Sequence, residues 1–402
     1  MKTEIKRIYS ALAKKHLNED RQMLFFSGPR QVGKTTLCSQ FQSHYYNWDN
    51  RTARELILQG EEAVARSIGL DAPSAMRPVV TFDEIHHYPK WKQFLKGFFD
   101  CHGEDVHIFV TGSARLNVYK KIGDSLMGRY YPYRMHPLSV GELLRTDLPV
   151  AEINHEVRQL PEDVWGLLYR FGGFPEPFSR ADPLQLRRWQ RLRFEQLMRE
   201  DIRKDTTIRE LDQLEALAVI LSRRSGEQVV YSTLGSEIQM SEVTVRNWMS
   251  VLQSFFFGFC VRPWYKDVAN SIRKTPKWYL RDWSAIQDAG KRHETMLACH
   301  LLKSVEFWTD YGLGDYELCY IRDKNRREVD FLVVKDGRPW ILVESKTQSR
   351  VLSSALQDFQ RKLNVPYAFQ VLFEAPYEPI DCFDFTGRAV IVPARTFLTQ
   401  LM

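Results

Sequence analysis

Short apolar runs alternate with amphipathic stretches over the first third of the chain. Met23–Phe26, Tyr45–Trp48, Val79–Phe82 and His107–Val110 are β-branched and aromatic runs of strand length. Between the last two, Trp91, Phe94, Leu95, Phe98 and Phe99 recur at i, i+3, i+4, i+7 and i+8, which lays one apolar stripe along a helix. Strands separated by such helices predict a parallel α/β sheet. Helical periodicity takes over near residue 160, opens at the Gly-Gly-Phe-Pro-Glu-Pro stretch 172–177, and passes into aromatic runs at Phe255–Tyr265 and Trp278–Leu280 that read as a hairpin. From about residue 290 the order is helix, three strands, helix, strand: His293–Lys303, Tyr316–Ile321, Glu328–Val334, Trp340–Glu344, Ser353–Leu363 and Phe369–Phe373. The changes of pattern predict three domains, residues 1–150, 151–285 and 286–402.

A length of 402 residues agrees with that division, since one ordinary domain holds about 150. Composition is globular, with 44% hydrophobic and 26% charged residues, which excludes a disordered or fibrous chain. No window approaches the roughly 18 apolar residues of a bilayer span. The opening MKTEIKRIYSALAKKHLNED has no apolar signal core, so a cytoplasmic protein with no membrane partner is expected. The six cysteines are scattered without CxxC spacing, which points to neither zinc nor disulfides. The net charge of +6 is concentrated in the middle, where residues 181–280 hold 16 Lys and Arg against 12 Asp and Glu. Any electrostatic contact with nucleic acid is expected there.

The segment MLFFSGPRQVGKTTL places Gly28, Pro29, Arg30, Gln31, Val32, Gly33, Lys34, Thr35 and Thr36 directly after an apolar run and at the start of a helical one. The spacing G-x4-G-K-T suits a phosphate-binding loop. Glycines let successive amide hydrogens face one concavity, Lys34 adds a point charge, and the Thr35 hydroxyl can sit on a Mg²⁺ that bridges two phosphates.

The apolar run RPVVTFDEIHHY ends in Asp83-Glu84. Asp83 can hold the Mg²⁺ and Glu84 can polarise the water that attacks the γ phosphate. HIFVTGSARL ends in Thr111, Gly112 and Ser113, at the sheet edge where ligands bind, and a hydroxyl there can sense the γ phosphate. Arg129 and Arg134 in GRYYPYRMHPLS can neutralise transition-state charge, in cis or across a subunit boundary, or can serve as plain ion-pair partners.

Together GPRQVGKTT, the run ending YYNWD, TFDEIH, VTGSARL and GGFPEPF resemble the prokaryotic ATPases that join an N-terminal AAA-type P-loop domain to a C-terminal domain of unknown function. The resemblance covers nearly the whole chain. It implies the additional-strand (ASCE) class of P-loop sheet, ATP as nucleotide, and the roles just given for Asp83, Glu84 and the Thr111–Ser113 turn. Asp49, at the second strand end, matches a recurrent acidic position of that family.

The middle stretch VVYSTLGSEIQMSEVTVRNWMSVLQSFFFGFCVRPWY resembles a winged helix-turn-helix. Ser232 is placed to cap a first helix, Met240-Ser241 to make the turn, and Val243, Trp248, Val251 and Leu252 to form the second helix's apolar face. Arg246 and Asn247 can then read base edges, or the module can serve only for packing.

In REVDFLVVKDGRPWILVESKTQ, two strands joined by a Lys-Asp-Gly-Arg turn bring Asp330 toward Glu344 and Lys346, which share one strand face. Two carboxylates and a lysine can bind Mg²⁺ and activate water for phosphodiester cleavage, with Glu294 as a further ligand. With its α-β-β-β-α-β order the block resembles the restriction-endonuclease-like fold, whose signature is D, a spacer, then E-x-K.

Three functional classes fit. One is an ATPase switch acting on nucleic acid. Another couples the ATPase to a Mg²⁺-dependent nuclease. The third is a nucleotide-gated interaction protein with an inert nuclease-like domain. Each would take ATP, DNA is a partner in the first two, and a homo-oligomer would let one subunit's arginine reach its neighbour's nucleotide.

Overall fold

The computed structural model describes residues 5–41, 43–72, 77–112, 126–206, 208–264 and 275–402. Backbone contacts gather the chain into two units, the first running to His136 with residues 146–148, the second holding 137–145 and 149–402.

In the first unit, strands β1 (Met23–Ser27), β2 (His44–Asn47), β3 (Val79–Asp83), β4 (His107–Gly112) and β5 (Tyr130–Arg134) form one sheet in the order β2-β3-β4-β1-β5. Every pair is parallel. Strand β4 therefore stands between the strand that leads into the glycine loop and the strand that ends in Asp83. The helix Trp91–His102 lays its apolar stripe on this sheet, with Phe94 and Phe98 edge-on to Phe82 at 5.5 and 5.6 Å. Strand β5 was not legible in the pattern. Its residues Tyr130–Arg134 are half-exposed and include Pro132, which an edge strand tolerates because one side needs no ladder donor.

The second unit opens with helices, including Glu162–Phe171, Pro183–Gln196 and Leu211–Arg223. Helices Tyr231–Ile238 and Glu242–Ser254 follow, then β6 (Gly258–Pro263) and β7 (Lys277–Leu280). The long helix Ala289–Tyr311 leads to β8 (Tyr316–Arg322), β9 (Glu328–Lys335), β10 (Arg338–Lys346), helix Ser354–Leu363, β11 (Tyr367–Leu372) and β12 (Ala389–Pro393). The sheet order is β12-β11-β10-β9-β8-β6-β7, antiparallel from β8 to β10 and parallel from β10 to β12. Pairing of Arg262 with Cys319 and Pro263 with Tyr320 ties the hairpin to the C-terminal strands. The break expected at 285/286 lies between strands that share one sheet, and backbone contacts pass from the first unit to the second between residues 136 and 149.

Two details of the helix pair differ from expectation. Ser232 lies inside the first helix, whose N-cap is Val230 without a side-chain cap, whereas Ser241 caps the second helix by accepting the Thr244 amide at 3.1 Å. The buried face of that second helix is Val245, Trp248, Met249 and Leu252, while Val243 is 68% exposed. The helix starts at Glu242, directly after the expected turn, and its buried stripe runs from Val245 at i, i+3, i+4 and i+7. Among the described residues no helix is long and apolar enough to cross a membrane.

Candidate functional site

The loop after β1 curls as its glycines dictate. Gly33 has φ +104 and precedes the helix Lys34–Ser39, a conformation that disfavours any Cβ. A Cβ at Gly28 would meet the Met135 carbonyl oxygen. Arg7 braces the loop, donating to the Val32 carbonyl at 2.8 Å and to the His136 carbonyl at 2.6 Å. No motif in the sequence announced that arginine. Lys34 is buried, and its ammonium donates to the loop's own carbonyls at Gly28 (2.7 Å) and Pro29 (2.9 Å). Burial lowers its pKa to about 8, against the pull of Glu84 and Asp83. A bound phosphate would offer this ammonium the counter-charge that burial denies it. Thr35 and Thr36 are exposed at the loop's end, while Arg30 and Gln31 occupy its turn.

Asp83 ends β3 beside this loop. It accepts hydrogen bonds from Thr111 Oγ1 at 2.5 Å, Asn47 Nδ2 at 3.3 Å and the Tyr45 hydroxyl. The Thr35 side chain acts on the same phenol and lowers its pKa, so Tyr45 stands next to both residues expected to hold Mg²⁺. Burial, then Asp83, raises the Tyr45 pKa, so the phenol stays protonated and serves as donor. Tyr45 was read from sequence only as a strand residue. The donor set of hydroxyl and carboxylate oxygens fits Mg²⁺, a hard cation.

Glu84 has φ +53, in the left-handed region that a glutamate rarely adopts, and its amide donates to the Thr111 carbonyl at 3.0 Å. Its carboxylate lies 3.5 Å from His86 Nδ1 and 3.9 Å from His87 Nε2. Burial and then Asp83 push its pKa up, while Lys34, Arg30 and His87 pull it down.

The arginines separate. Arg134 closes β5 opposite Ser27, on the loop side of the sheet. Arg129 precedes β5 beside Met23, at the start of β1, and binds Asp100 through Nε (2.7 Å) and Nη2 (3.0 Å). It stands at the opposite sheet edge, roughly 13 Å of strand from the loop, so its expected contact with nucleotide is not made within the chain. Ser113 lies outside the described residues. Asp49 is exposed and donates its amide to Asn47 Oδ1 at 2.8 Å.

In the second unit, Asp330 lies one step past the Phe331–Val343 pair and accepts the Ser345 amide at 3.0 Å, which sets it alongside Glu344 and Lys346. Glu344 pairs with Lys346 at 2.7 Å. Three residues that the sequence did not single out as site residues, Lys277, Glu328 and Tyr279, join them. Lys277 from β7 contacts Glu328 at 2.7 Å and both Glu294 and Asp330 at 3.2 Å, and the Tyr279 hydroxyl donates to Glu294 at 2.6 Å. Burial raises the Glu294 pKa to about 7, helped by Asp330 and opposed by Lys277. The donor set suits a divalent cation, but an ammonium already touches three of its carboxylates. The cluster as it stands does not fit the Mg²⁺ expected of it.

Residues 20–144 match the family described as AAA domain. Residues 163–289 match the Domain of unknown function (DUF8612) and residues 289–380 the Domain of unknown function (DUF4143). An uncharacterized protein of Mycobacterium tuberculosis is 21% identical over 392 residues, covering 94% of this chain and 81% of the relative. One of Methanocaldococcus jannaschii is 24% identical over 294 residues, covering 65% of this chain and 60% of the relative. The AMPPCP-bound DnaA of Aquifex aeolicus aligns at a TM-score of 0.31 and 13% identity, covering 61% of this chain and 87% of that one. The glycine loop, Asp83 and Glu84 all fall within the stretch that matches the AAA domain.

Proposed function

We propose that the chain binds ATP with Mg²⁺ at the loop 28–36, hydrolyses it, and couples the nucleotide state to the second unit. The observation that carries this reading is the convergence of Lys34, Asp83, Glu84 and Thr111, with Asp83 held by Thr111 and Glu84 drawn over Thr111 by its own amide. Loop amides and Lys34 bind the phosphates. Thr35 and Asp83 would hold Mg²⁺, which when bound neutralises phosphate charge. Glu84 takes a proton from the attacking water, and burial tunes it as a base. The second unit follows β5 directly in the chain, and Arg134 on that strand would carry the signal.

For the second unit we favour a nucleotide-gated interaction module on a nuclease-like scaffold over an active nuclease. Lys277 in the carboxylate cluster supports this choice. The paired helices and hairpin suit a winged helix-turn-helix. Arg246 there is engaged by Glu242 at 2.8 Å and lies 4.3 Å over the Tyr231 ring, which leaves exposed Asn247 as the freer candidate for DNA. Arg129 would serve a nucleotide only in trans, within a homo-oligomer.

The test is Mg²⁺-dependent phosphate release from ATP by wild type and Glu84→Gln. Turnover in wild type and its loss in the variant, with ATP still bound, supports the reading; equal turnover overturns it. Incubation with plasmid DNA and Mg²⁺, wild type against Glu344→Ala, separates the two versions of the second unit. Cutting that depends on Glu344 would favour the nuclease.

A further inference from the structure

The clash between a metal-type donor set and a lysine within it has a specific consequence. We infer that the Lys277 ammonium is the resident cation of the carboxylate cluster and keeps divalent metal ions out of it. This rests on the nuclease-like reading of the second unit.

Lys277 is 4% exposed, and its nitrogen lies 2.7 Å from Glu328 Oε1, 3.2 Å from Glu294 Oε1 and 3.2 Å from Asp330 Oδ1. Three acceptors match the three hydrogens an ammonium can donate. The second oxygens of Asp330 and Glu328 are engaged as well. Asp330 Oδ2 accepts the Ser345 amide, and Glu328 Oε2 faces Gln228 at 3.3 Å and Arg322 at 3.4 Å. Burial works against the charge on Lys277, yet Asp330, Glu294 and Glu328 outweigh it and hold the lysine protonated. A divalent ion would need the same oxygens at about 2.0–2.6 Å and would sit in contact with a positive charge. The two cations therefore exclude each other.

One buried carboxylate oxygen of the cluster has no hydrogen-bond partner among the described residues. Glu344 is 7% exposed, its Oε1 pairs with Lys346, and its Oε2 is buried without a hydrogen bond. A carboxylate oxygen left in that condition is costly unless a cation completes it. It marks the part of the metal-type site that Lys277 does not fill.

The lysine is held in place by more than the carboxylates. Lys277 bridges to Gln228, Val229 donates its amide to Pro276, and Gly226 donates its amide to Trp278. The strand carrying the lysine is thereby pinned to the segment just before the helix Tyr231–Ile238. The middle module supplies the cation of the C-terminal centre, and the cluster can accept a metal only if β7 gives it up.

Mn²⁺ is the probe, titrated into the nucleotide-free 402-residue chain with free Mn²⁺ followed by electron paramagnetic resonance. Wild type and Asp330→Asn should bind alike. Lys277→Met should bind Mn²⁺ at least about tenfold more tightly than wild type. Adding Asp330→Asn to Lys277→Met should abolish the gain. Asp330-dependent Mn²⁺ binding by wild type overturns the inference, as does a folded Lys277→Met that gains none. Should Lys277→Met fail to fold, the comparison of wild type with Asp330→Asn decides alone. Plasmid cutting by Mn²⁺-loaded Lys277→Met is scored separately. Gain of metal without cutting removes the nuclease reading and leaves the role of Lys277 intact.

Discussion

Thr111 donates its hydroxyl hydrogen to Asp83 at 2.5 Å, across the β3–β4 register that sets the two residues side by side. The carboxylate assigned to Mg²⁺ is thus oriented by the strand inserted between it and the loop strand. Thr111→Val should keep the fold and remove that orientation. A hydrogen bond to a charged group contributes about 1.5–3 kcal/mol, so kcat for ATP should fall by roughly 10- to 100-fold with a smaller change in KM. Thr111→Ser should restore most of it. A serine variant as slow as the valine one would assign the loss to packing.

Glu84 yields a pH prediction with a definite sign. Its folded pKa is raised, chiefly by burial, so a base at this position is lost as pH falls through that raised value, and kcat should decline on the acid side before an ordinary glutamate would. The same shift makes ionisation a cost to folding above the unfolded value. Glu84→Gln should therefore be more stable than wild type at neutral pH, with the difference vanishing in acid, while turnover falls by about 10²–10⁴-fold. Thermal melts at two pH values check it. Equal melting points at neutral pH would count against the burial argument.

Contiguous chemistry was legible in the sequence, and chemistry assembled by topology was not. The glycine loop and Asp83-Glu84 each sit in one short stretch whose backbone need is local, so spacing alone exposed them. Lys277 stands alone in its stretch and reaches Glu328 and Asp330 only because β6 joins the hairpin to the C-terminal sheet. Arg129 has the right residue type in the right region, but parallel pairing of β5 with β1 carries it to the wrong edge. Tyr45 looked like one more aromatic strand residue. Its role depends on which of its two ends meets polar groups, and that is fixed by the Tyr45–Thr81 register.

Tyr45→Phe should loosen the metal side of the nucleotide site. The phenol now holds Asp83 and stands next to Thr35, and without it the carboxylate would have to be ordered by the incoming ion. The Mg²⁺ concentration giving half-maximal ATP turnover should rise several-fold, on the order of 1 kcal/mol, with maximal turnover less affected. A Mg²⁺ titration of the ATPase reaction reads this directly. An unchanged midpoint would reduce Tyr45 to a packing residue.

Lys303 meets Glu142 at 2.5 Å and donates to the Pro137 carbonyl at 3.1 Å, each side chain in a residue 1% exposed. Glu142 sits in the helix Val140–Leu144, and Lys303 in the long helix Ala289–Tyr311, so the pair fixes a short helix of the second unit to its longest one. Burying both charges costs about as much as their attraction returns, whereas removing one strands the other in a dry site. Lys303→Met alone should lose about 3–5 kcal/mol of stability, and Glu142→Met a similar amount. The double variant should recover most of that loss, because two methionines fill the volume without leaving a charge. Urea unfolding of the four proteins measures the coupling. Single variants within about 1 kcal/mol of wild type, or a double variant whose loss is the sum of the singles, would show that the pair does not act as a unit.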